Sequence, residues 1–362
     1  MDVGARIAGV RRRLKEDRAQ AAVISLVSNL RYLTAFDGVI DHGINAVCLI
    51  TETDAVFYTD SRYVEAAAEA AAAGPWEVRL QKENLYVEVC EDLHKQGVQS
   101  LLIESGVPYG RFKFVSEQFR GAVRVVDRLV ESMRQFKEPE EIERIAAAAT
   151  IADRGFEHIL GVLKPGVTEA EIAIELEYHM RRDGSEEMPF APIVVSGPNA
   201  ARPHGIPGDR ALQPGDLVVL DFGARVGGYC SDMTRTVAIG EVSKEQRRLY
   251  DAVLEANEAG LSAVRSGVPC VEIDLAAREV LERHGLGDVF THGVGHGVGL
   301  DVHEMPTLGR QSQEATRENA VVTIEPGVYV EGSAGVRIED LVVVEESGCR
   351  ILTNAPKELI QI

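Results

Sequence analysis

Apolar residues along the first third of the chain follow two different spacings. Helical spacing, with apolar positions on one face, is found in residues 6–20 and in the alanine-rich segment 62–73. Apolar runs typical of buried strands are found at residues 21–26, 45–50, 55–60 and 98–104. The turn-prone sequence TETD separates the second and third of these runs and predicts a β-hairpin. An α/β domain is therefore expected for this part of the chain.

A charged segment, MRQFKEPEEIERI, separates this region from the rest of the chain. Pro139 stands where a helix favours its first residue, and the acidic residues after it suit the positive end of a helix dipole. We therefore predict an N-terminal domain over residues 1–130, a linker over 131–138 and a second domain over 139–362. With 362 residues, the chain is long enough for two domains of ordinary size.

The second domain contains a weak internal repeat, in which residues 164–184 align without gaps on residues 265–285. Both segments have the pattern of a turn followed by an amphipathic helix that ends at glycine. Thr168 and Glu171 form a capping-box sequence at the start of the first helix. Because glycine-punctuated strands follow each segment, the pattern predicts two related α/β halves within one domain.

Two aspartates flank the turn of the strands that follow the first segment. In residues 217–239 an apolar strand leads into Asp221, a turn is predicted at Val226-Gly227, and the return strand passes through Asp232. This turn would place the aspartates directly opposite each other, where two like charges destabilise a hairpin unless a cation lies between them. The alternative is a shifted register in which one aspartate faces water.

The second half repeats this arrangement with glutamates. Residues 321–344 place Glu325 at the end of an apolar strand and Glu339 on the predicted return strand. Two carboxylate pairs at equivalent places of related halves predict four acids around one centre, and that charge requires cations. Carboxylate-rich sites suit divalent metals, and two ions that share bridging carboxylates would satisfy the charge and lower the pKa of a bound water.

Histidines separated mostly by glycine occur in residues 291–304, THGVGHGVGLDVHE. One imidazole could complete a metal site, and the others could carry protons or donate hydrogen bonds outside it. Glycine lets the backbone pass close to a crowded centre. The alternative for any one of these histidines is a satisfied or exposed loop residue.

Composition narrows the possible functions. The net charge of −19 argues against binding to nucleic acid, whose phosphates require a basic face. The five cysteines are widely spaced without a CxxC pair, which is typical of free thiols in a reducing compartment. We find no apolar run long enough for a membrane span and no signal-peptide pattern at the start, so we expect a cytoplasmic location and no membrane partner. Nucleotide-binding glycine motifs and a GxSxG elbow are also absent from the sequence.

These motifs resemble those of the pita-bread metallopeptidases, specifically the Xaa-Pro dipeptidases (prolidases) and Xaa-Pro aminopeptidases. In the second domain the resemblance lies in RPHG (202–205), LDFGARVGGYCSDMTRT (220–236), THGVGHGVGLDVHE (291–304), TIEPGVY (323–329) and GVRIED (335–340). In the first domain it lies in SNLRYLTAF (28–36) and YTDSRY (58–63). The resemblance implies an α/β fold, with an N-terminal creatinase-like domain and a C-terminal catalytic domain of pseudo-twofold pita-bread architecture.

The resemblance also implies roles for individual residues. The implied metal ligands are Asp221, Asp232, His296, Glu325 and Glu339. Asp232 and Glu339 would bridge two divalent ions, and Glu325 would also hold the nucleophilic water and take its proton. The residues expected to face substrate are His204, His292, His303 and Tyr329, while Arg337 would orient the cluster. Manganese is our first choice of metal, although cobalt, iron or zinc would fit the same residues.

The implied reaction is hydrolysis of the Xaa-Pro bond at the N-terminus of dipeptides or short peptides, in a homodimer. We favour a dipeptidase, and the alternative is an aminopeptidase that acts on tripeptides and longer peptides. In prolidases a loop of the N-terminal domain reaches the partner subunit's site, and here Asp37, Asp41 and His42 are its candidate contacts.

Three relatives of the same fold are further alternatives. A non-catalytic peptide-binding module would generally have lost ligands. Methionine aminopeptidases usually lack the first domain, so the presence of residues 1–130 counts against them. Creatinase-like hydrolases lack the metal ligands, so the complete ligand set counts against them.

Overall fold

The computed structural model describes residues 1–36, 46–72 and 74–362. Contacts among these residues divide them into two compact units, Met1–Arg134 and Gln135–Ile362. The candidate partner contacts Asp37, Asp41 and His42 lie outside the described residues. The domain limits predicted from the sequence stay predictions.

The first unit is an α/β layer built on one mixed sheet. Its helices are α1 (Val3–Glu16), α2 (Val27–Thr34), α3 (Val64–Ala71), α4 (Leu85–Lys95), α5 (Tyr109–Gln118) and α6 (Glu131–Arg134). Its strands are β1 (Ala21–Ile24), β2 (Ala46–Thr51), β3 (Ala55–Thr59), β4 (Glu77–Leu80), β5 (Ser100–Glu104) and β6 (Ala122–Val126). They lie in the order β4-β3-β2-β1-β5-β6, and β2 pairs antiparallel with β3. The hairpin predicted around TETD is therefore confirmed.

The second unit combines paired helices with short, mostly antiparallel strands. Its helices are α7 (Pro139–Leu160), α8 (Glu169–Arg182), α9 (Lys244–Ala263) and α10 (Cys270–Arg283). The strands of its first half are β7 (Ile193–Ser196), β8 (Leu217–Phe222), β9 (Arg225–Val226), β10 (Tyr229–Cys230) and β11 (Met233–Ala238). Those of its second half are β12 (Gly295–Gly297), β13 (Glu304–Leu308), β14 (Val321–Ile324), β15 (Gly327–Val330), β16 (Ala334–Arg337), β17 (Asp340–Val344) and β18 (Cys349–Ile351).

The internal repeat of the sequence corresponds to repeated structure. Helices α8 and α10 begin and end at aligned positions of the two segments, and each is followed by a glycine with positive φ, Gly184 or Gly285. The capping box of Thr168 and Glu171 is formed. One hydrophobic core packs α7 and α8 against β8 and β11, and a second packs α9 and α10 against β14 and β17. Each half therefore buries its helix pair mainly against its own strands, although Leu217 and Ala238 of the first half also belong to the second core.

A long hairpin in the first half is interrupted in its middle. Strands β8 and β11 pair antiparallel, and β9 and β10 continue the same register beyond a break. The break contains Gly223 and Ala224 on one side and Ser231 and Asp232 on the other. A Cβ at Gly223 would overlap the carbonyl oxygen of Ser231, so the close approach of the two segments requires glycine.

The turn of this hairpin lies one residue later than the sequence predicted. It is formed by Gly227-Gly228, with φ of 56° and 82°. Two-residue hairpin turns favour positive φ at both positions, which glycine adopts and the β-branched Val226 resists. The predicted direct pairing of Asp221 with Asp232 is therefore wrong, because Asp221 pairs with Thr234. Moving the turn by one residue moves the pairing partner by two residues, which is one full period of side-chain alternation. Asp232 therefore stays on the same face of the hairpin as Asp221, diagonal to it.

The hairpin of the second half has the same interrupted design. Strands β14 and β17 pair antiparallel, and β15 and β16 continue their register beyond a break. Glu325 follows β14 directly and Glu339 precedes β17 directly, so the two glutamates lie opposite each other in the break. Their backbone N–H groups donate elsewhere, Glu325 to the Val294 carbonyl at 2.7 Å and Glu339 to the Thr234 carbonyl at 3.1 Å. The hydrogen-bond ladder of each hairpin is thus interrupted next to its carboxylates.

The crowding at Gly223 generates a prediction about stability. We expect Gly223→Ala to lower the free energy of unfolding by about 1–3 kcal/mol, because the added methyl group must displace backbone. The control is Gly208→Ala, where the new Cβ meets nothing within 4 Å and the change should stay within about 0.5 kcal/mol. Urea unfolding of both variants measures the difference, and equal stability of the two would contradict the role of the break.

Candidate metal centre

Carboxylates from both hairpins surround one imidazole. Donor atoms of Asp232, His296 and Glu339 lie within 4.8 Å of one another. The Nε2 atom of His296 lies 3.6 Å from Asp232 Oδ2 and 3.3 Å from Glu325 Oε1. Its Nδ1 lies 3.0 Å from the carbonyl oxygen of Gly297, which requires a donated proton there. This hydrogen bond leaves Nε2 with a free lone pair directed at the carboxylates, the state in which histidine binds metal.

Asp221 stands at the side of this cluster next to a buried cation. The guanidinium of Arg337 forms an ion pair with Asp221 and donates from Nε to the Thr234 hydroxyl at 3.1 Å. It also donates to the Tyr329 hydroxyl at 2.8 Å. The Arg337 side chain is 4% exposed and that of Asp221 13%. Arg337 therefore balances one carboxylate and fixes its orientation.

Asp232, Glu325 and Glu339 have few hydrogen-bond donors around them in the described part of the chain. Burial, reinforced by the charges of neighbouring acids, raises the pKa of Asp232 and Glu339 well above the usual range, and burial also raises the pKa of Glu325. One oxygen of Glu339 accepts from the Thr234 hydroxyl at 2.7 Å. The other is buried without a hydrogen-bond partner among the described residues. An orphan carboxylate oxygen is costly unless positive charge meets it, so the residues fit divalent cations.

The histidines around the cluster are neutral donors or acceptors. Burial lowers the pKa of His292, His296 and His303 below the usual range. The Nε2 of His292 lies 2.9 Å from the Tyr329 hydroxyl, and its Nδ1 lies 2.8 Å from the Gly293 carbonyl. Tyr329 thus connects His292 to Arg337, and through it to Asp221.

His303 and His204 lie further out than the other predicted site residues. The His303 ring is 4.3 Å from that of His296, centroid to centroid, and its side chain is exposed. Its neighbour Glu304 forms a buried ion pair with Lys137, with 3.2 Å between Nζ and Oε2, which anchors the loop. His204 is exposed, and it is close enough for its charge to contribute to the lowered pKa of His303. These two imidazoles are available to a molecule that enters from solvent.

Two threonines belong to the site although the sequence reasoning missed them. Thr234 donates to Glu339, as described above, and Thr323 donates to Glu325 Oε1 at 3.2 Å and accepts from the backbone N–H of His296. Each threonine stands two positions from a carboxylate on the same strand segment, Thr234 from Asp232 and Thr323 from Glu325. The alternation of side chains along a strand would have placed them on the face of the acids.

Comparison with known proteins agrees with this architecture. The model of metallopeptidase family M24 matches residues 143–346, and the model of the creatinase/prolidase N-terminal domain matches residues 6–136. The chain belongs to metallopeptidase family M24. The expected creatinase-like and pita-bread domains are thereby confirmed, and the chain is an enzyme of this class. Among the described residues, no helix combines the length and apolarity needed to cross a bilayer.

Similar relatives carry proline-specific names. An Xaa-Pro dipeptidase from Pyrococcus horikoshii is 36% identical over 294 residues, which covers 79% of this chain and 83% of the relative. The solved structure of an Xaa-Pro dipeptidase from Bacillus anthracis matches with a TM-score of 0.96 at 36% identity, over 100% of both chains. That of an X-Pro aminopeptidase from Thermotoga maritima matches with a TM-score of 0.85 at 36% identity, over 95% of this chain and 98% of the other.

The raised carboxyl pKa values predict that metal binding releases protons. In the metal-free protein Asp232 and Glu339 hold protons to higher pH than ordinary carboxyls, and a metal must displace them. Affinity for Mn²⁺ should therefore keep rising with pH above the range in which ordinary carboxyls titrate, while His296, whose pKa is lowered, contributes no proton there. Titration calorimetry of metal-free protein in buffers of different ionisation enthalpy counts the released protons. A constant affinity without proton release would contradict the assigned protonation.

Proposed function

We propose that the chain is a dinuclear-metal exopeptidase that hydrolyses the Xaa-Pro bond of dipeptides. The observation that carries the proposal is the cluster of buried acids around His296, which includes an oxygen of Glu339 that lacks a donor among the described residues. The proline specificity rests on the names of the similar proteins. Family membership alone would leave the substrate open, because the reaction of a site depends on its local chemistry as well as its fold.

The proposed ligands are Asp221, Asp232, His296, Glu325 and Glu339. Asp232 and Glu339 are the candidates for bridging two ions, because both are buried and each experiences the charges of Asp221 and Glu325. Bound divalent metals would supply Lewis acidity toward the scissile carbonyl and lower the pKa of a coordinated water. Oxygen-rich ligation makes Mn²⁺ the first choice.

The chain's own groups would handle the protons. Glu325 stands 3.3 Å from His296 and accepts from the Thr323 hydroxyl, so it would be placed to take a proton from the attacking water. His292, His303 and His204 would donate hydrogen bonds to the carbonyl oxygen or to the leaving nitrogen. The neutral state of His292 and His303 allows one ring nitrogen to donate while the other accepts.

An Xaa-Pro substrate suits recognition by such side chains. The scissile bond is a tertiary amide, so the peptide offers no N–H at this position for pairing with a strand, and the proline ring fixes φ. Imidazole and phenol groups can instead orient the carbonyl and protonate the departing proline nitrogen. Tyr329, held between His292 and Arg337, is placed to contribute to this orientation.

The second candidate function is an Xaa-Pro aminopeptidase. The similarity to the Thermotoga maritima X-Pro aminopeptidase supports it, while the higher TM-score and fuller coverage of the Bacillus anthracis dipeptidase favour the first. A dipeptidase must recognise the free carboxylate of proline, whereas an aminopeptidase must leave that side open.

Homodimerisation, a cytoplasmic location and contacts from Asp37, Asp41 or His42 stay predictions.

Two substrates separate these functions. Metal-stripped protein with added Mn²⁺ should cleave alanyl-proline and leave alanyl-prolyl-alanine intact if it is a dipeptidase. Cleavage of the tripeptide would establish the aminopeptidase instead. Alanyl-alanine serves as the control for proline specificity. Absence of cleavage of either proline peptide with any divalent metal would overturn both candidates.

Substitutions distinguish ligands from outer residues. Asp232→Ala or Glu339→Ala should abolish metal binding and turnover together, because each would remove a bridging carboxylate. His303→Ala should leave metal bound and lower kcat by about 10²–10⁴-fold, the usual contribution of proton transfer. Metal content and kinetics are measured on the same preparations. A fully active Asp232→Ala variant would refute the two-metal assignment.

A further inference from the structure

The strand ladder is sparse at the break in the second hairpin. The backbone N–H groups of Glu325 and Glu339 donate to Val294 and Thr234, outside the hairpin. Between the two segments of the break one ladder bond remains, from the Ile338 N–H to the Pro326 carbonyl at 3.4 Å. Because the two carboxylates have to meet at one centre, a further link between the backbones would help to fix their separation.

One buried amide spans this break. Asn257 on α9 is 0% exposed, and its Nδ2 donates to the carbonyl of Ile324 at 2.9 Å and to that of Ile338 at 3.4 Å. These are the residues immediately before Glu325 and Glu339. A single side chain thus contacts the backbone one residue ahead of each carboxylate.

The orientation of this amide is dictated by its partners. The Oδ1 of Asn257 accepts from Lys357 Nζ at 2.9 Å, and Lys357 also donates to Asp340 Oδ2 at 2.7 Å. An ammonium requires an acceptor and two carbonyls require a donor, so only one assignment of the amide satisfies all three. A carboxylate at position 257 would still accept the hydrogen bond from Lys357. It would, however, place an acceptor oxygen next to the carbonyl oxygens of Ile324 and Ile338, which need a donor.

Among the described residues, no helix side chain forms such a link across the break of the first hairpin. Its break is joined from within, because the Ser231 hydroxyl accepts from the Ala224 N–H at 3.0 Å and the Ser231 N–H donates to the Ala224 carbonyl at 2.9 Å. In the second hairpin the corresponding bond within the break is the longer one between Ile338 and Pro326, and the side chain from α9 adds a second link.

We infer that Asn257 is a positioning residue that sets the separation of the Glu325 and Glu339 carboxylates for metal binding. The inference rests on the proposed function, in which both glutamates are ligands. Groups behind metal ligands commonly change metal affinity by about 10–100-fold when they are removed. The amide acts through the backbone of the ligands and does not itself face the centre.

The test compares Mn²⁺ affinity of metal-free wild type with that of Asn257→Asp and Asn257→Ser by titration calorimetry. We expect affinity about 10–100-fold weaker in Asn257→Asp and a smaller loss in Asn257→Ser, which keeps one donor. Circular dichroism checks folding, and the serine variant decides the result if the aspartate variant does not fold. Turnover lost at low Mn²⁺ should return at saturating Mn²⁺, which a general loss of folded protein would not allow.

A buried asparagine in the other unit provides the matched control. Asn29 is also 0% exposed and donates to Glu104 at 2.7 Å and Glu131 at 2.8 Å. Asn29→Ala should lower thermal stability without changing Mn²⁺ affinity. Folded Asn257 variants with wild-type affinity, or an equal loss in Asn29→Ala, would overturn the inference alone. Wild-type protein that binds no Mn²⁺ would instead refute the dinuclear proposal itself.

Discussion

Repulsion among buried carboxylates is the constraint on which the centre depends. Asp232, Glu325 and Glu339 are drawn from two hairpins into a desolvated space, where burial and the charges of neighbouring acids disfavour their ionisation. Arg337 relieves part of this charge at Asp221. The rest can be relieved only by protonation or by cations, so these residues fit divalent metal ions.

The interrupted hairpins are the structural means of bringing these acids together. A continuous ladder would hold opposing backbones at strand spacing and send neighbouring side chains to opposite faces. Opening each ladder for a few residues frees backbone groups to bond to other segments, and Glu339 thereby connects to Thr234 of the first half. Threonine hydroxyls then orient the carboxylates, and Ser231 and Asn257 close the breaks from the backbone side.

The histidines of the site lie at successive positions from the buried acids to the solvent. His296 lies among the acids, His292 is tied to Tyr329 and Arg337, and His303 is exposed on a loop held by the Lys137–Glu304 ion pair. Because burial keeps these imidazoles neutral, each can donate a hydrogen bond from one ring nitrogen and accept at the other. The arrangement joins a rigid inner cluster to accessible groups that can meet a peptide.

The sequence by itself indicated helices α1 and α3, strands β1, β2, β3 and β5 and the repeat of α8 and α10, because local periodicity and capping residues specify them. It also indicated the acids of the site through their positions in two hairpins, and the histidines through their cluster among glycines. Only the tertiary structure decided the register of the first hairpin, where Gly227-Gly228 takes the positive φ values that Val226 resists. It alone revealed the Glu339 oxygen that has no hydrogen-bond partner in the described part of the chain, and the link through Asn257. Both depend on backbone groups distant in sequence, which no local pattern encodes.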